Sequence, residues 1–298
     1  MFMDLGGPND GTPKVLIVVE RGEWEGACRL PHMLRRAGAL VAAFAPAACR
    51  LFRSRYIDRA IHPRGEFLPS LREHLEAEGG GYALVLLSDE GLVQRLASEE
   101  GHDWLDPWFP VDRRRAGDLI SGKAPFVKAC QLWGVAIPES RICFTQSELA
   151  SAGRSLGLPI VVKASHGCAG DAVRRADTLD DLPQVFRELE PMVPLVAQEF
   201  IDGRVGSSII LYDRGVPVCS VSSYKHRCFP APYGPSCARE MLDGPYLDPM
   251  LERVGRMTGF HGFCAVDWVQ RRSDGAFLAI EFNPRPTPPL DAGFCVGV

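Results

Sequence analysis

Apolar runs alternate with helix-like stretches along the first third of the chain. The run VLIVVE (residues 15–20) is continuous and rich in β-branched residues, as expected for a strand that is buried on both faces. In chain order the next predicted elements are a helix over 27–37 that ends at Gly38, a strand over 39–44, a helix over 67–78 and a strand over 82–90. This alternation predicts a small parallel sheet with right-handed crossovers.

The pattern changes after about Asp112. Further helices are predicted over 122–133, 147–156, 179–189 and 247–257, with strands between them. The run SSIILYDRGVPVCSVSSY predicts a hairpin that turns at Asp213-Arg214-Gly215. From Lys225 to about Arg239 we expect a long loop rich in proline, glycine and cysteine. The basic residues that open this loop, 225–227, either face a substrate or form a solvated cluster, and we favour the cluster.

Composition narrows the class of protein. The chain has 298 residues, 46% hydrophobic and 23% charged, which is typical of a globular protein. The net charge is -4, and the sequence has no clustered excess of basic residues, so no nucleic-acid partner is expected. No apolar run approaches the roughly 18 residues that a membrane span requires. The first 13 residues lack the pattern of a secretory signal, so we expect a flexible leader over 1–13 and a cytoplasmic location.

Cysteine and glycine spacings exclude two further kinds of site. The 10 cysteines include no C-x-x-C pair, which favours reduced thiols over a soft-metal site near Cys219, Cys228 and Cys237. The loop ERGEWEG after the first strand lacks the G-x-G-x-x-G fingerprint. No dinucleotide site is therefore predicted.

Two carboxylates near the end of the chain are predicted to oppose each other. AVDWVQRR and AFLAIEFN flank Ser273-Asp274-Gly275, and a three-residue loop places Asp267 opposite Glu281, with Asn283 on the same face. Opposed carboxylates repel, so either one is protonated or a cation lies between them. Their oxygen atoms and that of Asn283 suit a hard divalent ion. A face that simply points to solvent explains the same residues equally well.

The opposite face of this hairpin is predicted to lie in the core. It carries Val266, Trp268, Leu278, Ile280 and Phe282. A two-residue loop would instead put Asp267 on the other face and weaken the metal interpretation.

Two other segments carry candidate binding residues. Lys163 ends an apolar strand and is followed by the small-residue loop ASHGCAGDAV, whose backbone could approach phosphate oxygens while the lysine supplies charge. A plain hairpin turn accounts for the same loop. In QEFIDG (198–203) a strand ends at a glycine turn, where backbone could pair with a purine. An ordinary strand end is the alternative.

In this order the segments resemble the ATP-grasp superfamily, over about 122–286. The resemblance implies a fold of class α/β and α+β, in which a small parallel-sheet, Rossmann-like domain precedes a two-lobed ATP-grasp unit with antiparallel sheets. The implied boundaries are 14–112 for the preceding domain, 113–194 for the small lobe and 195–298 for the catalytic lobe. The end of the last lobe is either truncated or shortened relative to the superfamily.

The resemblance also implies roles for particular residues, most closely those of the biotin carboxylase and carbamoyl phosphate synthetase ATP-binding domains. The residues expected to bind ATP are Lys123, Lys163, Ser165, Gly167, Gly170, Gln198, Glu199, Ile201 and Asp202. Those expected to bind Mg²⁺, or alternatively Mn²⁺, are Asp267, Glu281 and Asn283. Arg285 and Lys163 are the expected catalytic residues, with Arg285 contacting the acyl phosphate or the substrate carboxylate.

The chain departs from the superfamily pattern in the phosphate loop. Ala169 and Ala172 stand where the superfamily usually has glycine, which stiffens the backbone. The ribose-binding acid is not obvious, so Asp202 or Glu199 must serve.

The resemblance implies an ATP-dependent carboxylate–amine ligase that acts through an acyl phosphate and releases ADP and phosphate. The expected partners are a small carboxylate and an amine, and a homodimer is left open as an expectation. Two alternatives remain: an enzyme of the same fold that uses bicarbonate or a thiol, and a degenerate nucleotide-binding or regulatory module.

Overall fold

The structure, a computed structural model, describes residues 11–22, 25–78, 80–166, 172–231 and 233–290. Its first third contains β1 (Lys14–Val18), α1 (Leu30–Arg36), β2 (Leu40–Phe44), β3 (Arg59–Ile61), α2 (Phe67–Ala77), β4 (Leu84–Leu87) and α3 (Glu90–Ser98). The strands form a parallel sheet in the order β3-β2-β1-β4. The predicted parallel sheet is confirmed. The edge strand β3 was not predicted, because three residues are too few to show a period.

A second, antiparallel sheet follows. This part of the chain contains α4 (Arg113–Ile120), α5 (Lys123–Trp133), β5 (Ser140–Cys143), α6 (Gln146–Leu156), β6 (Ile160–Ala164), β7 (Val173–Ala176), α7 (Leu182–Leu189) and β8 (Leu195–Glu199). The strand order is β5-β8-β6-β7. Helix α6 begins with a capping box, in which the Thr145 hydroxyl accepts from Glu148 N and the Glu148 carboxylate accepts from Thr145 N. Helices α6 and α7 share an apolar core with this sheet.

The third sheet is also antiparallel and has the longest strands. It is formed by β9 (Gly203–Asp213), β10 (Val216–Cys228), β11 (Ser236–Leu242), β12 (Gly262–Arg271) and β13 (Phe277–Asn283), with α8 (Asp248–Thr258) between β11 and β12. The strand order is β11-β10-β9-β12-β13. The predicted hairpin at 213–215 is confirmed.

The long loop predicted over 225–239 is wrong at both ends. Strand β10 continues to Cys228 and strand β11 begins at Ser236, and Lys225 pairs with Arg239 across them. Proline and glycine suggested a loop because both are depleted in strands. Cross-strand hydrogen bonds nevertheless continue the sheet on either side of the turn.

A large apolar core joins the first sheet to the third. The rings of Phe126 on α5 and Phe260 pack against Phe282 on β13, with ring centroids 5.8 and 5.5 Å away. The same cluster of buried side chains includes Leu16 of β1 and Val266 of β12. Strand β8 pairs within the second sheet, so the change from the second to the third sheet falls between residues 199 and 203.

The mixed α/β and antiparallel architecture agrees with the predicted fold class. In the part of the chain that the structure describes, no helix combines the length and the apolar character needed to cross a bilayer.

Candidate nucleotide site between two antiparallel sheets

A cleft of about 1070 Å³ lies between the second and third sheets. Its walls include side chains of β6 and β8 on one side and of β9, β10, β12 and β13 on the other. Lys123 at the start of α5 also contributes to its surface. Most of the residues predicted from sequence to bind a nucleotide or a metal lie in or beside this cleft.

The hairpin β12–β13 places Asp267 opposite Glu281, as predicted, but by a different route. Arg271 N donates to Ala276 O at 2.8 Å, so the loop covers the four residues 272–275 rather than three. A β-bulge between Asp267 and Trp268 then shifts the register by one residue and restores the opposition.

The bulge also changes the predicted core face of this hairpin. Trp268 pairs with Ala279, and its ring contacts Phe277 at 5.1 Å between centroids. Ala279 therefore takes the core position that was predicted for Leu278 or Ile280. Ile280 lines the cleft instead.

Each of the two opposed carboxylates binds a lysine. Lys123 Nζ lies 3.1 Å from Glu281 Oε1, and Lys225 Nζ lies 2.5 Å from Asp267 Oδ2. Burial alone would raise the pKa of the Glu281 carboxyl, but the ammonium groups of Lys123, Lys163 and Lys225 together hold this pKa below its usual value. Lysine charge thus compensates the repulsion between Asp267 and Glu281.

Lys225 does not lie in the solvated cluster that we favoured from the sequence. Strand β10 directs its side chain to the cleft and to Asp267, and only 20% of the side chain is exposed. The alternation of side chains along SSYKHR was the signal that could have revealed this position.

Lys163 joins the two sheets that bound the cleft. Its Nζ donates to Gln198 Oε1 at 2.8 Å and to Ile280 O at 3.3 Å. The Ile280 carbonyl is accessible because Ile280 is the residue left unpaired by the bulge. Burial, together with the nearby Lys123, lowers the pKa of Lys163 to about 8. Gln198 is fixed in turn by donation from its Nε2 to Ser140 Oγ at 3.0 Å.

Ser165 ties the second sheet to the helix that carries Lys123. Its carbonyl accepts from Lys123 N at 2.9 Å, and its hydroxyl accepts from Ala124 N at 3.2 Å. These bonds satisfy two amides at the first turn of α5. The predicted nucleotide-binding residues Gly167 and Gly170 lie outside the described residues.

The residues of QEFIDG that are predicted to bind the nucleotide divide into two groups. Gln198, Glu199 and Ile201 line the cleft. Asp202 does not line it; its side chain is 76% exposed and lies 3.3 Å from Arg272. Of the two acids expected to be available to a ribose, only Glu199 lines the cleft.

Arg285 lies outside the lining of this cleft, and its role as a substrate contact stays a prediction. Its Nη2 and Nε lie 2.6 and 2.9 Å from Glu90 Oε2, and both side chains are buried. Glu90 begins α3, so this ion pair links the first sheet's domain to the end of β13. No sequence signal identified Glu90 as a partner, because the pairing depends on how the two parts pack.

Of the three predicted metal ligands, Asp267 and Glu281 line the cleft, whereas Asn283 lies outside its lining. Asn283 Oδ1 accepts from Arg285 Nη2 at 3.4 Å. Asn283 is opposite Ala265, two residues from Glu281 on the same side of β13, and is 8% exposed. Among the described residues, no group of three or more His, Cys, Asp and Glu side chains could hold a metal ion. The candidate ligands are accordingly two carboxylates and one amide, a donor set that suits Mg²⁺ when phosphate oxygens complete the coordination.

Comparisons with known proteins find relatives whose sequence identity to this chain is low. No protein-family model matches the sequence. The carbamoyl phosphate synthase large chain of Mycobacterium sp. (strain JLS) is 26% identical over 251 residues, which cover 77% of this chain and 21% of that protein. The chain therefore spans about a fifth of the length of this curated relative.

Solved structures resemble nearly the whole chain. N5-carboxyaminoimidazole synthetase from Staphylococcus aureus, complexed with ADP, has a TM-score of 0.66 at 14% identity, covering 92% of this chain and 70% of that one. L-amino acid ligase from Bacillus licheniformis has a TM-score of 0.64 at 16% identity, covering 92% and 67%. The ATP-grasp resemblance seen in the sequence is thus confirmed in the architecture, and the chain has the ATP-grasp fold.

Proposed function

We propose that the chain binds ATP in the cleft between the second and third sheets and uses it to join a carboxylate to an amine. The observation that carries this proposal is the convergence of Lys123, Lys163, Asp267 and Glu281 from four separate elements on one cleft. Both lysines are buried, and the stability of the fold alone does not require four charged groups to converge on an open cavity.

The shape and lining of the cleft suit a nucleotide. Val205, Val269 and Ile280 supply an apolar surface for a base, while Gln198 and Glu199 supply polar groups at its edge. Lys163 and Lys123 lie deeper, where they can neutralise phosphate charge. The names of the similar proteins, which include an L-amino acid ligase and an ADP complex, support this use of the cleft.

In the proposed reaction a substrate carboxylate oxygen attacks the terminal phosphorus of ATP, the bond to the bridging oxygen breaks, and ADP leaves. The amine then attacks the acyl carbon, loses a proton and expels phosphate. The lysines hold and neutralise the phosphate oxygens during the first step. Closure of the cleft over the bound nucleotide would exclude water from the acyl phosphate.

Mg²⁺ is the proposed metal, with Mn²⁺ as an alternative, held by Asp267, Glu281 and Asn283. When bound, it would polarise the terminal phosphate and neutralise charge on the oxygens. For the two carboxylates to bind a metal, Lys225 and Lys123 must shift toward the phosphates of the nucleotide. Both lysines line the cleft, where phosphate oxygens could replace the carboxylates as partners of the ammonium groups.

Two observations favour a second candidate, a nucleotide-binding module without turnover. The carboxylates that would hold the metal are both occupied by lysines, and Ala172 lies where the superfamily usually has glycine. A related enzyme that uses bicarbonate or a thiol instead of an amine shares the nucleotide site and differs only in its products. The cytoplasmic location and a homodimer remain part of the proposal.

The test is release of ADP from Mg-ATP in the presence of pooled amino acids, followed by a coupled enzyme assay. The proposal expects release that depends on both an acid and an amine. Lys123→Met should abolish it, whereas Lys128→Met, which removes an exposed lysine from the same helix, should not. Tight Mg-ATP binding without release would favour the module, and release that requires bicarbonate or a thiol would favour the related enzyme.

A further inference from the structure

Two cysteines lie beside each other where strands β10 and β11 meet their connecting turn. Cys228 ends β10 and is opposite Ser236, and Cys237 is the next residue of β11. The register passes from the pair Arg227–Ala238 to the pair Cys228–Ser236, so Cys237 is the extra residue of a β-bulge. The hairpin thus brings two cysteines together although the sequence has no C-x-x-C pair.

The two sulfur atoms are within reach of each other. Cys237 Sγ donates to Arg227 O at 3.5 Å, so it lies against the peptide unit that leads into Cys228. The dimensions of that unit put Cys237 Sγ within about 6.5 Å of Cys228 Cα. Disulfides join cysteines whose Cα atoms are about 4.4–6.8 Å apart. A small adjustment at the bulge, where strand pairing is already interrupted, can bring the two sulfurs into bonding distance.

Both side chains are open to the cleft. Cys228 is half-buried and Cys237 is exposed, and both line the cavity between the second and third sheets. Burial raises the pKa of Cys28, Cys143 and Cys219, which keeps these three sulfurs as unreactive thiols. Cys228 and Cys237 combine access for small solutes with a neighbouring sulfur, and these two features are typical of a redox-sensing pair.

The pair stands at the base of a turn that borders the cleft. Phe229 N donates to Pro235 O at 2.9 Å next to the pair, and Phe229 and Tyr233 line the cleft. Arg175 of β7 lines the opposite side of the cleft and influences the pKa of Tyr233, so the turn lies close to the second sheet. A covalent link between the two cysteines would fix the base of this turn and restrict the movements that let a solute enter or leave.

We propose that Cys228 and Cys237 are a modification site, a thiol pair that a peroxide converts to a disulfide, and that this disulfide slows exchange between the cleft and the solution. The chemistry of the pair is independent of the proposed function. Only the identity of the exchanging solute, a nucleotide, rests on that function.

The reaction has two steps. The more exposed sulfur, that of Cys237, attacks one oxygen of hydrogen peroxide as a thiolate; an S–O bond forms, the O–O bond breaks and hydroxide leaves, giving a sulfenic acid. The Cys228 sulfur, after losing its proton to hydroxide, attacks Cys237 Sγ; an S–S bond forms and the S–O bond breaks. Together the two thiols lose two electrons and two protons, and the peroxide is reduced to two molecules of water.

Trypsin makes the disulfide simple to identify. Cleavage after Arg227 and Arg239 releases a peptide, 228–239, that contains both cysteines and no other. The full chain is treated with hydrogen peroxide, its remaining thiols are alkylated, and the mass of this peptide is measured. Hydrogen exchange of the turn amides and the rate of ADP dissociation are measured before and after oxidation.

The variants are Cys228→Ser and Cys237→Ser, which change one atom each. Cys219→Ser is the matched control, because Cys219 lies on the same strand but lines a separate groove beside α8. All three reduced variants should release ADP at the rate of the reduced wild type.

We expect the oxidised peptide to lack two hydrogens and to carry no alkyl group, both in the wild type and in Cys219→Ser. Cys228→Ser should stop at the sulfenic acid, which adds one oxygen and reacts with dimedone, and Cys237→Ser should form neither product at the same peroxide concentration. In the oxidised wild type, exchange of the turn amides and dissociation of ADP should each slow by about tenfold or more, because a crosslinked loop has fewer open states. Dithiothreitol should restore the original rates.

Full alkylation of both cysteines in the peroxide-treated wild type would overturn the proposal, as would a crosslink from either of them to any other cysteine. A disulfide that changes neither amide exchange nor ADP dissociation would overturn its control of the cleft. A disulfide that slows amide exchange in a protein that does not bind ADP would keep the thiol pair and refute the proposed function.

Discussion

Replacing the buried Lys163 by methionine should remove a pH-dependent part of nucleotide binding. Burial lowers the pKa of this lysine from 10.5 to about 8 in the folded protein. At about 1.36 kcal/mol for each pKa unit, the charged form is disfavoured by about 3 kcal/mol relative to the unfolded chain. The group therefore titrates within a range that binding experiments can cover.

The direction of the effect on stability follows from proton counts. Between about pH 8 and pH 10.5 the unfolded chain keeps the Lys163 proton and the folded protein has lost it. The free energy of unfolding should therefore rise with pH across this window. Below about pH 8 both states are protonated, and the cost of burying the charge is fully present.

Nucleotide affinity should change in the opposite direction. Only the ammonium form attracts phosphate, so the affinity for ADP should fall by up to about tenfold for each pH unit above pH 8. A charge-assisted hydrogen bond contributes about 1.5–3 kcal/mol, so Lys163→Met should lower the affinity at pH 7 by between about tenfold and about 150-fold. In this variant the affinity for ADP should no longer decline above pH 8.

Stability should change little in this variant, so lost binding would not reflect unfolding. Methionine removes the burial cost of about 3 kcal/mol. It also leaves Gln198 Oε1 and Ile280 O without the lysine donor, at a cost of about 1–3 kcal/mol each.

The assay is calorimetric titration with ADP from about pH 7 to about pH 9.5, with thermal unfolding of each protein. Lys128→Met, an exposed change on α5, should keep both the affinity and the pH profile of the wild type. Wild-type affinity in Lys163→Met, or an unchanged pH profile, would refute the placement of the phosphates beside Lys163.

Three further predictions test other parts of the structure. Glu281→Gln should abolish Mg-dependent ADP release while circular dichroism stays native, and unchanged turnover would rule out Glu281 as a metal ligand. Asp89 is buried and its pKa is raised to about 6, so the unfolding free energy should fall by about 3 kcal/mol as pH rises from about 4 to above 6. Urea unfolding should show this loss in the wild type, and a persistent loss in Asp89→Asn would show that other groups cause it. Glu90→Gln should remove the carboxylate charge beside the buried Arg285, lowering stability by about 3–5 kcal/mol in urea, and the double change Glu90→Leu with Arg285→Met should recover much of it. Wild-type stability in the single variant would contradict the buried ion pair.

The sequence was informative where the interacting groups are close in the chain. The opposition of Asp267 and Glu281 follows from a hairpin of about 15 residues, because strand pairing and side-chain alternation are local. Its prediction held although the loop is one residue longer than expected, since the bulge at Ile280 supplies the compensating shift. The parallel sheet was also predictable from local features. The period of the apolar residues differs between the buried strands and the helices that connect them.

Tertiary packing decided the rest of the candidate site. Lys225 and Arg239 were assigned to a loop, and only the completed third sheet shows that both lie on strands beside Asp267. Glu90 and Arg285 are 195 residues apart, and no local pattern can report a contact at that separation.

The sequence by itself thus determined which residues carry charge and, for Lys123, Lys163 and the opposed carboxylates, which elements hold them. Lys163 could be identified as a lysine at a strand end, but its partners Gln198 and Ile280 belong to different sheets. Its burial, its lowered pKa and the two ion pairs of the opposed carboxylates depend on how the second sheet packs over the third. The physical reason is that desolvation and Coulomb interactions depend on distances in space, whereas the sequence specifies only neighbours along the chain.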